Sequence, residues 1–176
     1  RVAIIGAGGI GFDTAEFLAH TAVDEAEERR TFMREWGVDL DYKHRGGVLP
    51  EGPRPVEPAR KIYLLQRKSS KPGAGLGKTT GWIHRLSLRH RGVEMIAGVS
   101  YEKIDQSGLH ITVGGQPRCL EVDHVIVCAG QESRREIADD FGQDSIEVHV
   151  IGGADVAAEL DAKRAIDQGT RLAMAL

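Results

Sequence analysis

Two glycine-rich segments of this sequence have the residue types that bind phosphate groups through backbone N–H groups. The first is "GAGGIG", from Gly6 to Gly11, and the second is "SKPGAGLGKTT", from Ser70 to Thr80. Glycine-rich turns, and the helix N-termini that often follow them, present unpaired N–H donors to anions. Each segment therefore predicts a nucleotide site of a different kind. The helices and strands predicted beside each segment indicate which of the two sites is present.

The second segment ends in Gly77-Lys78-Thr79, which matches the end of the nucleoside-triphosphate loop G-x-x-x-x-G-K-[ST]. This loop begins with a glycine where the sequence has Pro72, and Gly73 lies one position too close. Proline has no N–H and a restricted φ, so it cannot supply the first donor. A nucleotide hydrolase that uses Lys78 is an alternative that lacks one required residue.

The first segment follows an apolar run, Val2 to Ile5, and precedes a helical pattern. This order of strand, glycine turn and helix is typical of dinucleotide-binding folds. We expect Gly6 to make the tight turn, Gly8 to let the backbone approach a pyrophosphate, and Gly11 to let the helix pack on the strand. Gly9 is expected to belong to the same cofactor site. The apolar residues of the helix predict one buried side that contains Ile10, Ala15, Phe17 and Leu18.

Three cations follow the next apolar run, "KIYLLQ", which predicts a second strand over residues 61–66. They are Arg67, Lys68 and Lys71. In this fold an acidic residue at the end of the second strand binds the ribose hydroxyls of NAD, whereas cations accommodate the 2′-phosphate of NADP. The sequence therefore favours NADPH, with solvated surface cations as the alternative.

Two parts of this region are less informative. Residues 21–59 form an insertion between the first helix and the second strand, with a charged helix and a Gly/Pro-rich loop, and no chemistry is assigned to it. A helix is predicted from about Trp82 to His90. Trp82 either covers the adenine ring or packs in the core.

From Val93 onwards the pattern changes to "VEMIAGVSYEKI", "GLHITV" and "RCLEVDHVIVCAG". The turn sequences "DQSG" and "GGQP" separate these runs and predict an antiparallel β-meander. The last run returns to the parallel sheet and ends at Gly130, where backbone can approach a ligand closely. The expected fold is therefore α/β, a Rossmann-like three-layer dinucleotide-binding domain with a meander.

The tail predicts a strand at His149–Ile151, a Gly-Gly-Ala-Asp turn and an amphipathic helix. Asp161 stands at the expected N-cap of this helix. The amides that follow it either bind the anionic edge of a flavin or belong to a plain packing helix.

Composition excludes several classes. The chain has 176 residues and a net charge of −3, which gives no electrostatic case for nucleic acid, and no apolar run is long enough to cross a bilayer. Cys119 and Cys128 are expected to be small buried residues, and no metal site is predicted. The chain begins in a strand without an initiator Met, so we expect a piece of a longer, cytoplasmic polypeptide.

The whole chain resembles the C-terminal part of the bacterial-type NADPH-dependent 2,4-dienoyl-CoA reductases. The segments that carry the resemblance are "VAIIGAGGIGFDTAEFL", "LLQRKSSKPGAGLGKTTGWIHR", "GVSYEKID" and "VIGGADVAAELDAKRAIDQGTRLA". The resemblance implies a flavoprotein whose N-terminal barrel carries FMN, a 4Fe-4S cluster and the substrate. NADPH would reduce FAD, and electrons would then pass through the cluster and FMN to the dienoyl-CoA.

The resemblance also implies that residues 1–127 form the NADPH-binding domain and that residues 128–176 form the C-terminal segment of a split FAD-binding domain. The expected partners are NADPH and the remainder of the polypeptide, namely the barrel and the first FAD segment. A non-catalytic nucleotide-sensing module remains an alternative.

The resemblance also implies roles for individual residues. Gly8 and Gly11 would lie under the pyrophosphate, the three cations would bind the 2′-phosphate, and Trp82 would contact the adenosine. Gly153 and Asp155 would form the flavin motif, although Ala154 separates them here. The segment Leu160, Asp161, Ala162 and Lys163 would present a helix N-terminus to the flavin. No residue is expected to be catalytic, because the general acid would belong to the barrel.

Overall fold

The structure, a computed structural model, describes residues 1–20, 25–55, 57–141, 146–157 and 162–176. It divides into two compact units, residues Arg1–Ala129 and Gly130–Leu176. The elements of the first unit are β1 (Val2–Ile5), α1 (Gly9–Ala19), α2 (Glu25–Glu35), a 3-10 helix (Arg45–Gly47), β2 (Ile62–Leu65), α3 (Gly81–His90), β3 (Glu94–Ile96), β4 (Val99–Asp105), β5 (Gly108–Val113), β6 (Gln116–Leu120) and β7 (His124–Val127). The second unit contains α4 (Glu136–Asp140) and α5 (Ala162–Ala175).

A parallel sheet with the order β3-β2-β1-β7 forms the centre of the first unit. The register pairs Ile5 of β1 with Leu65 of β2 and with Val127 of β7. Continuous apolar runs suit such strands, because a parallel sheet is covered on both faces. The strand β7 joins this sheet as predicted, and the Rossmann-like α/β fold is confirmed.

Alternate residues of β1 point into two different cores. Val2 and Ile4 pack with Phe12 of α1 and Leu88 of α3, whereas Ala3 packs in the other core. The antiparallel sheet β4-β5-β6 covers that second core, which it fills with Val99, Leu109, Ile111 and Leu120. The period of two in a strand thus gives the predicted three layers, which are helices, parallel sheet and meander.

The run "VEMIAGVSYEKI" is two strands and not one. Strand β3 pairs in parallel with β2, whereas β4 pairs antiparallel with β5. Between them Gly98 has a φ of +67°, a left-handed conformation that few other residues adopt without strain. This glycine turns the chain from one sheet into the next.

The predicted buried side of α1 is partly wrong. Phe17 is 81% exposed and Ile10 is 59% exposed, whereas Phe12, Ala15 and Ala19 are buried. The reason is Gly11, whose backbone packs so closely against the turn after β1 that an added Cβ would lie 1.7 Å from the Gly6 carbonyl oxygen. The helix must turn this face to the sheet, and Ile10 and Phe17 then lie on the other side.

Two other expectations are corrected. Cys119 is exposed rather than buried, because it lies on β6, at the edge of the meander, while Cys128 is partly buried beside Thr14. Residues 149–151 do not form a strand. A strand needs a neighbouring strand for its hydrogen bonds, and the described residues of the second unit contain none.

The insertion packs on the C-terminal end of α3. Arg91, directly after α3, donates hydrogen bonds of 2.8 Å and 3.0 Å to the two carboxylate oxygens of Glu35 in α2. The ring centroids of Trp36 and His90 are 5.5 Å apart. Since α3 leads directly into β3, this contact lies at the edge where the parallel strands begin, away from the glycine turn. Among the described residues no helix is long and apolar enough to span a membrane.

Substitution of Gly11 tests the close contact between α1 and the glycine turn that follows β1. We expect Gly11→Ala to lower the free energy of unfolding by about 3 kcal/mol, at the upper end of overpacking costs, because the new Cβ meets backbone. Gly9→Ala is the matched control, since a Cβ there meets nothing within 4 Å. Urea denaturation of both variants measures the difference, and equal stabilities would contradict the packing described here.

Candidate dinucleotide site

The glycine turn after β1 has the geometry that the motif predicts. Gly6 has a φ of +113°, and its N–H donates a hydrogen bond of 2.8 Å to the Leu65 carbonyl. An added Cβ at Gly6 would lie 2.6 Å from the Cys128 carbonyl oxygen, so a side chain does not fit here. Gly8 and Gly9, in contrast, are exposed, and a Cβ at either position would meet open space. The turn is thus tightly packed at Gly6 and open at Gly8 and Gly9.

The open side of this turn is the N-terminus of α1. The first intrahelical hydrogen bond is donated by Phe12 to Gly8, at 3.0 Å. The N–H groups before it have no acceptor within the helix, and no acidic side chain lies in the first turn. Free donors and the positive end of the helix dipole together suit a pyrophosphate. These residues therefore fit the group that the motif predicts.

The three predicted cations lie at the carboxyl end of β2, in a segment that we call the cation tip (residues 67–71). Gly98 donates a hydrogen bond of 3.0 Å to Lys68 O, and Val99 donates one of the same length to Gln66 O. The side-chain amide of Gln66 donates to the carbonyl groups of Lys68 and Ser70. Backbone and amide contacts therefore hold the start of the tip in place.

The cations of the tip are exposed and have no ion-pair partner among the described residues. Other cations of this unit form ion pairs with carboxylates. In Arg118, for example, Nη1 lies 2.7 Å from Oε1 of Glu94. Three neighbouring positive charges repel one another unless an anion lies between them. The tip is therefore a candidate site for a phosphate group.

Gly73 connects the cation tip to the glycine turn. Its N–H donates to Ala7 O at 3.3 Å, and Arg85 of α3 donates to Gly73 O at 2.8 Å. With a φ of +72°, and with Phe12 Cζ 2.7 Å from the position of an added Cβ, residue 73 has no room for a side chain. Sequence reasoning missed Gly73, Arg85 and Gln66. The position of Gly73 directly after Pro72 could have indicated a constrained turn. Arg85 and Gln66 could not be found in this way, because their roles depend on contacts made in the folded chain.

Trp82 and Lys78 lie in the segment that follows. Trp82 is 55% exposed on α3, so its interpretation as a core residue is wrong, and its contact with adenosine stays a prediction. Lys78 is exposed in a turn that Gly81 closes by donating to Gly77 O at 2.7 Å. The triphosphate loop directly follows a strand. The turn at Lys78 does not, because it enters α3 from a loop. The geometry thus favours the dinucleotide motif over the hydrolase alternative.

The second unit contains the predicted flavin residues. Asp155 accepts a hydrogen bond of 3.4 Å from the Gln168 amide, whose oxygen accepts one of 2.7 Å from Gly152 N–H. The guanidinium of Arg135 donates to the carbonyl groups of Ala154 and Asp155. These contacts hold the turn that contains Gly153, and sequence reasoning missed both Arg135 and Gln168.

The remaining predicted positions lie on either side of this turn. Gly130 has a φ of +87°, and an added Cβ there would meet nothing within 4 Å. Ala162 and Lys163 are exposed at the start of α5, whereas Leu160 and Asp161 lie outside the described residues.

The model of the pyridine nucleotide-disulphide oxidoreductase family matches residues 1–164, and the chain belongs to this family. It is therefore a member of a family of flavoprotein oxidoreductases that use pyridine nucleotides, and membership supports binding of NAD(P)H and FAD.

Known relatives are considerably longer than this chain. A metal reductase of Desulforamulus reducens is 24% identical over 137 residues, which are 78% of this chain and 19% of that protein. A mercuric reductase of Staphylococcus aureus is 37% identical over 54 residues, 28% of this chain and 10% of that protein. The solved structure of a 2-naphthoyl-CoA reductase complex has a TM-score of 0.63 at 20% identity and covers 96% of this chain and 20% of its own, which shows a shared fold.

Removal of the Arg85 guanidinium tests how Gly73 is held at the glycine turn. In Arg85→Ala we expect amide exchange at Gly73 to accelerate about tenfold, because a charged donor stabilises such a contact by at least ~1.5 kcal/mol. Hydrogen exchange followed by NMR measures this rate. Arg89→Ala, an exposed cation on the same helix, is the control. Equal exchange rates in the two variants would show that Arg85 does not hold the loop.

Proposed function

We propose that this chain is the NADPH-binding, electron-input part of a flavoprotein oxidoreductase. The observation that carries the proposal is the cation tip, whose positive charges have no carboxylate partner among the described residues and whose loop is hydrogen-bonded through Gly73 to the glycine turn. A dinucleotide with a phosphate on its adenosine ribose has anionic groups for both places.

Each element of the site has a defined role in this proposal. The N–H groups at the start of α1 bind the pyrophosphate, and Gly8 and Gly9 leave room for it. Arg67 binds the 2′-phosphate in a bidentate manner, while Lys68 and Lys71 add charge. Trp82 lies against the adenosine. When bound, NADPH supplies a hydride, and the residues of this chain bind and orient it.

The second unit contributes to FAD binding in the same proposal. Asp155 binds the ribityl chain of FAD, and Gly153, which has no side chain, leaves room for the cofactor. The N–H groups at the start of α5 point to the flavin. Hydrogen bonds from Arg135 and Gln168 support the proposal, because they hold the turn in one conformation before FAD binds. The rest of the FAD site belongs to the remainder of the polypeptide.

We further propose that the parent enzyme reduces 2,4-dienoyl-CoA. The segment "LLQRKSSKPGAGLGKTTGWIHR" supports this step, since its resemblance to the 2,4-dienoyl-CoA reductases includes the cation tip and Gly73. FMN and the 4Fe-4S cluster would belong to the barrel. Purified intact parent protein tests this step directly, because it should oxidise NADPH only when a dienoyl-CoA is added.

Charge reversal at the tip tests the choice of coenzyme. We expect Arg67→Glu to raise the Kd for NADPH by at least about tenfold and to leave the Kd for NADH nearly unchanged, because only NADPH carries the 2′-phosphate. Fluorescence titration of the chain with each nucleotide measures both constants.

The control for this experiment is Arg45→Glu, which makes the same charge change at an exposed position of the insertion. It should leave both constants unchanged. If Arg67→Glu weakens both nucleotides equally, the residue does not recognise the 2′-phosphate, and the proposed coenzyme choice is wrong.

A further inference from the structure

One buried polar group near the cation tip has no hydrogen-bond partner in the part of the chain that the structure describes. Tyr101 lies on β4 with its ring partly buried against the core between the parallel sheet and the meander. Its hydroxyl is buried, and the described residues provide no hydrogen-bond partner for it. Buried hydroxyl groups are nearly always paired, because an unpaired one loses its hydrogen bonds to water without replacement. The position of this hydroxyl therefore needs a physical explanation.

Tyr101 lies close to the cation tip. Strand β4 begins beside the tip, where Val99 donates to Gln66 O and Gly98 donates to Lys68 O, both at 3.0 Å. Burial raises the pKa of Tyr101, and the positive charge of Arg67 opposes this rise, so the two side chains interact electrostatically. The strand register also shifts between Tyr101 and Lys103, a type of irregularity that often redirects a side chain beside a functional site.

We propose that Tyr101 determines coenzyme specificity by donating a hydrogen bond from its hydroxyl to the 2′-phosphate of NADPH. This inference rests on the proposed function. An anion is the partner that the surroundings favour, because the positive charge of Arg67 acts on this side chain and β4 begins beside the cation tip. Arg67 is exposed and has no carboxylate partner among the described residues, so it can rotate onto the phosphate as the anion reaches the hydroxyl.

The proposal predicts opposite effects on stability and on affinity. In the nucleotide-free chain Tyr101→Phe removes an unpaired buried hydroxyl and keeps the ring, so the variant should be at least as stable as the wild type. The same variant loses a charge-assisted hydrogen bond to NADPH, and its Kd for NADPH should rise about tenfold. The Kd for NADH should not change. A purely structural tyrosine would not separate the two nucleotides.

Titration of the wild-type chain, Tyr101→Phe and Tyr63→Phe with NADPH and NADH tests this proposal. Tyr63 is buried on the same side of the sheet but in β2, near Lys61 and Arg118, so its variant should leave both constants unchanged. A tenfold loss confined to NADPH in Tyr101→Phe supports the proposal. Unchanged NADPH affinity in this variant overturns it, while a wild-type preference for NADPH would still support the proposed function. Equal wild-type affinities for NADPH and NADH overturn both.

A second measurement needs no substitution. In the wild-type chain labelled with ¹³Cζ-tyrosine, NADPH should shift the Tyr101 resonance and NADH should not, because only NADPH gives the hydroxyl a phosphate acceptor. A resonance that responds identically to the two nucleotides overturns the role of Tyr101, even if Tyr101→Phe fails to fold.

Discussion

The parallel pairing of β1 with β2 is the constraint on which the rest of the site depends. Ile5 pairs with Leu65, and the next residue, Gly6, donates its N–H to Leu65 O at 2.8 Å. Both strands therefore end at the same level, so the glycine turn and the cation tip lie at one edge of the sheet. A register shift of β2 would move the cations along the sheet, and a shift of one residue would turn every β2 side chain to the opposite face.

Absent side chains allow this edge to assemble. Gly6, Gly11 and Gly73 each lie where an added Cβ would be less than 3 Å from backbone or from the Phe12 ring. Gly8 and Gly9 lack side chains for a different reason, since the space beside them is open. The first group closes the packing of strand, helix and loop, and the second leaves backbone donors accessible. One glycine-rich motif thus serves both structure and ligand binding.

Local patterns predicted much of this fold. The order of strand, glycine turn and helix, the cations after the second strand and the meander turns depend on neighbouring residues, so sequence alone indicated them. Three features depend on distant contacts and were missed or wrong, namely the hydrogen bond from Arg85 to Gly73, the buried hydroxyl of Tyr101 and the exposed side of α1 that carries Phe17. The face of α1 was wrong because Gly11, and not the apolar side chains, decides which side meets the sheet.

The central claim is that the cation tip binds the 2′-phosphate, and the glycine turn the pyrophosphate, of one dinucleotide. A crystal structure of the chain with NADP⁺ tests this claim most directly. We expect the 2′-phosphate within hydrogen-bond distance of Arg67, about 3 Å, and the pyrophosphate at the N-terminus of α1. A nucleotide bound at Lys78, or a 2′-phosphate that points into solvent away from residues 67–71, would contradict it.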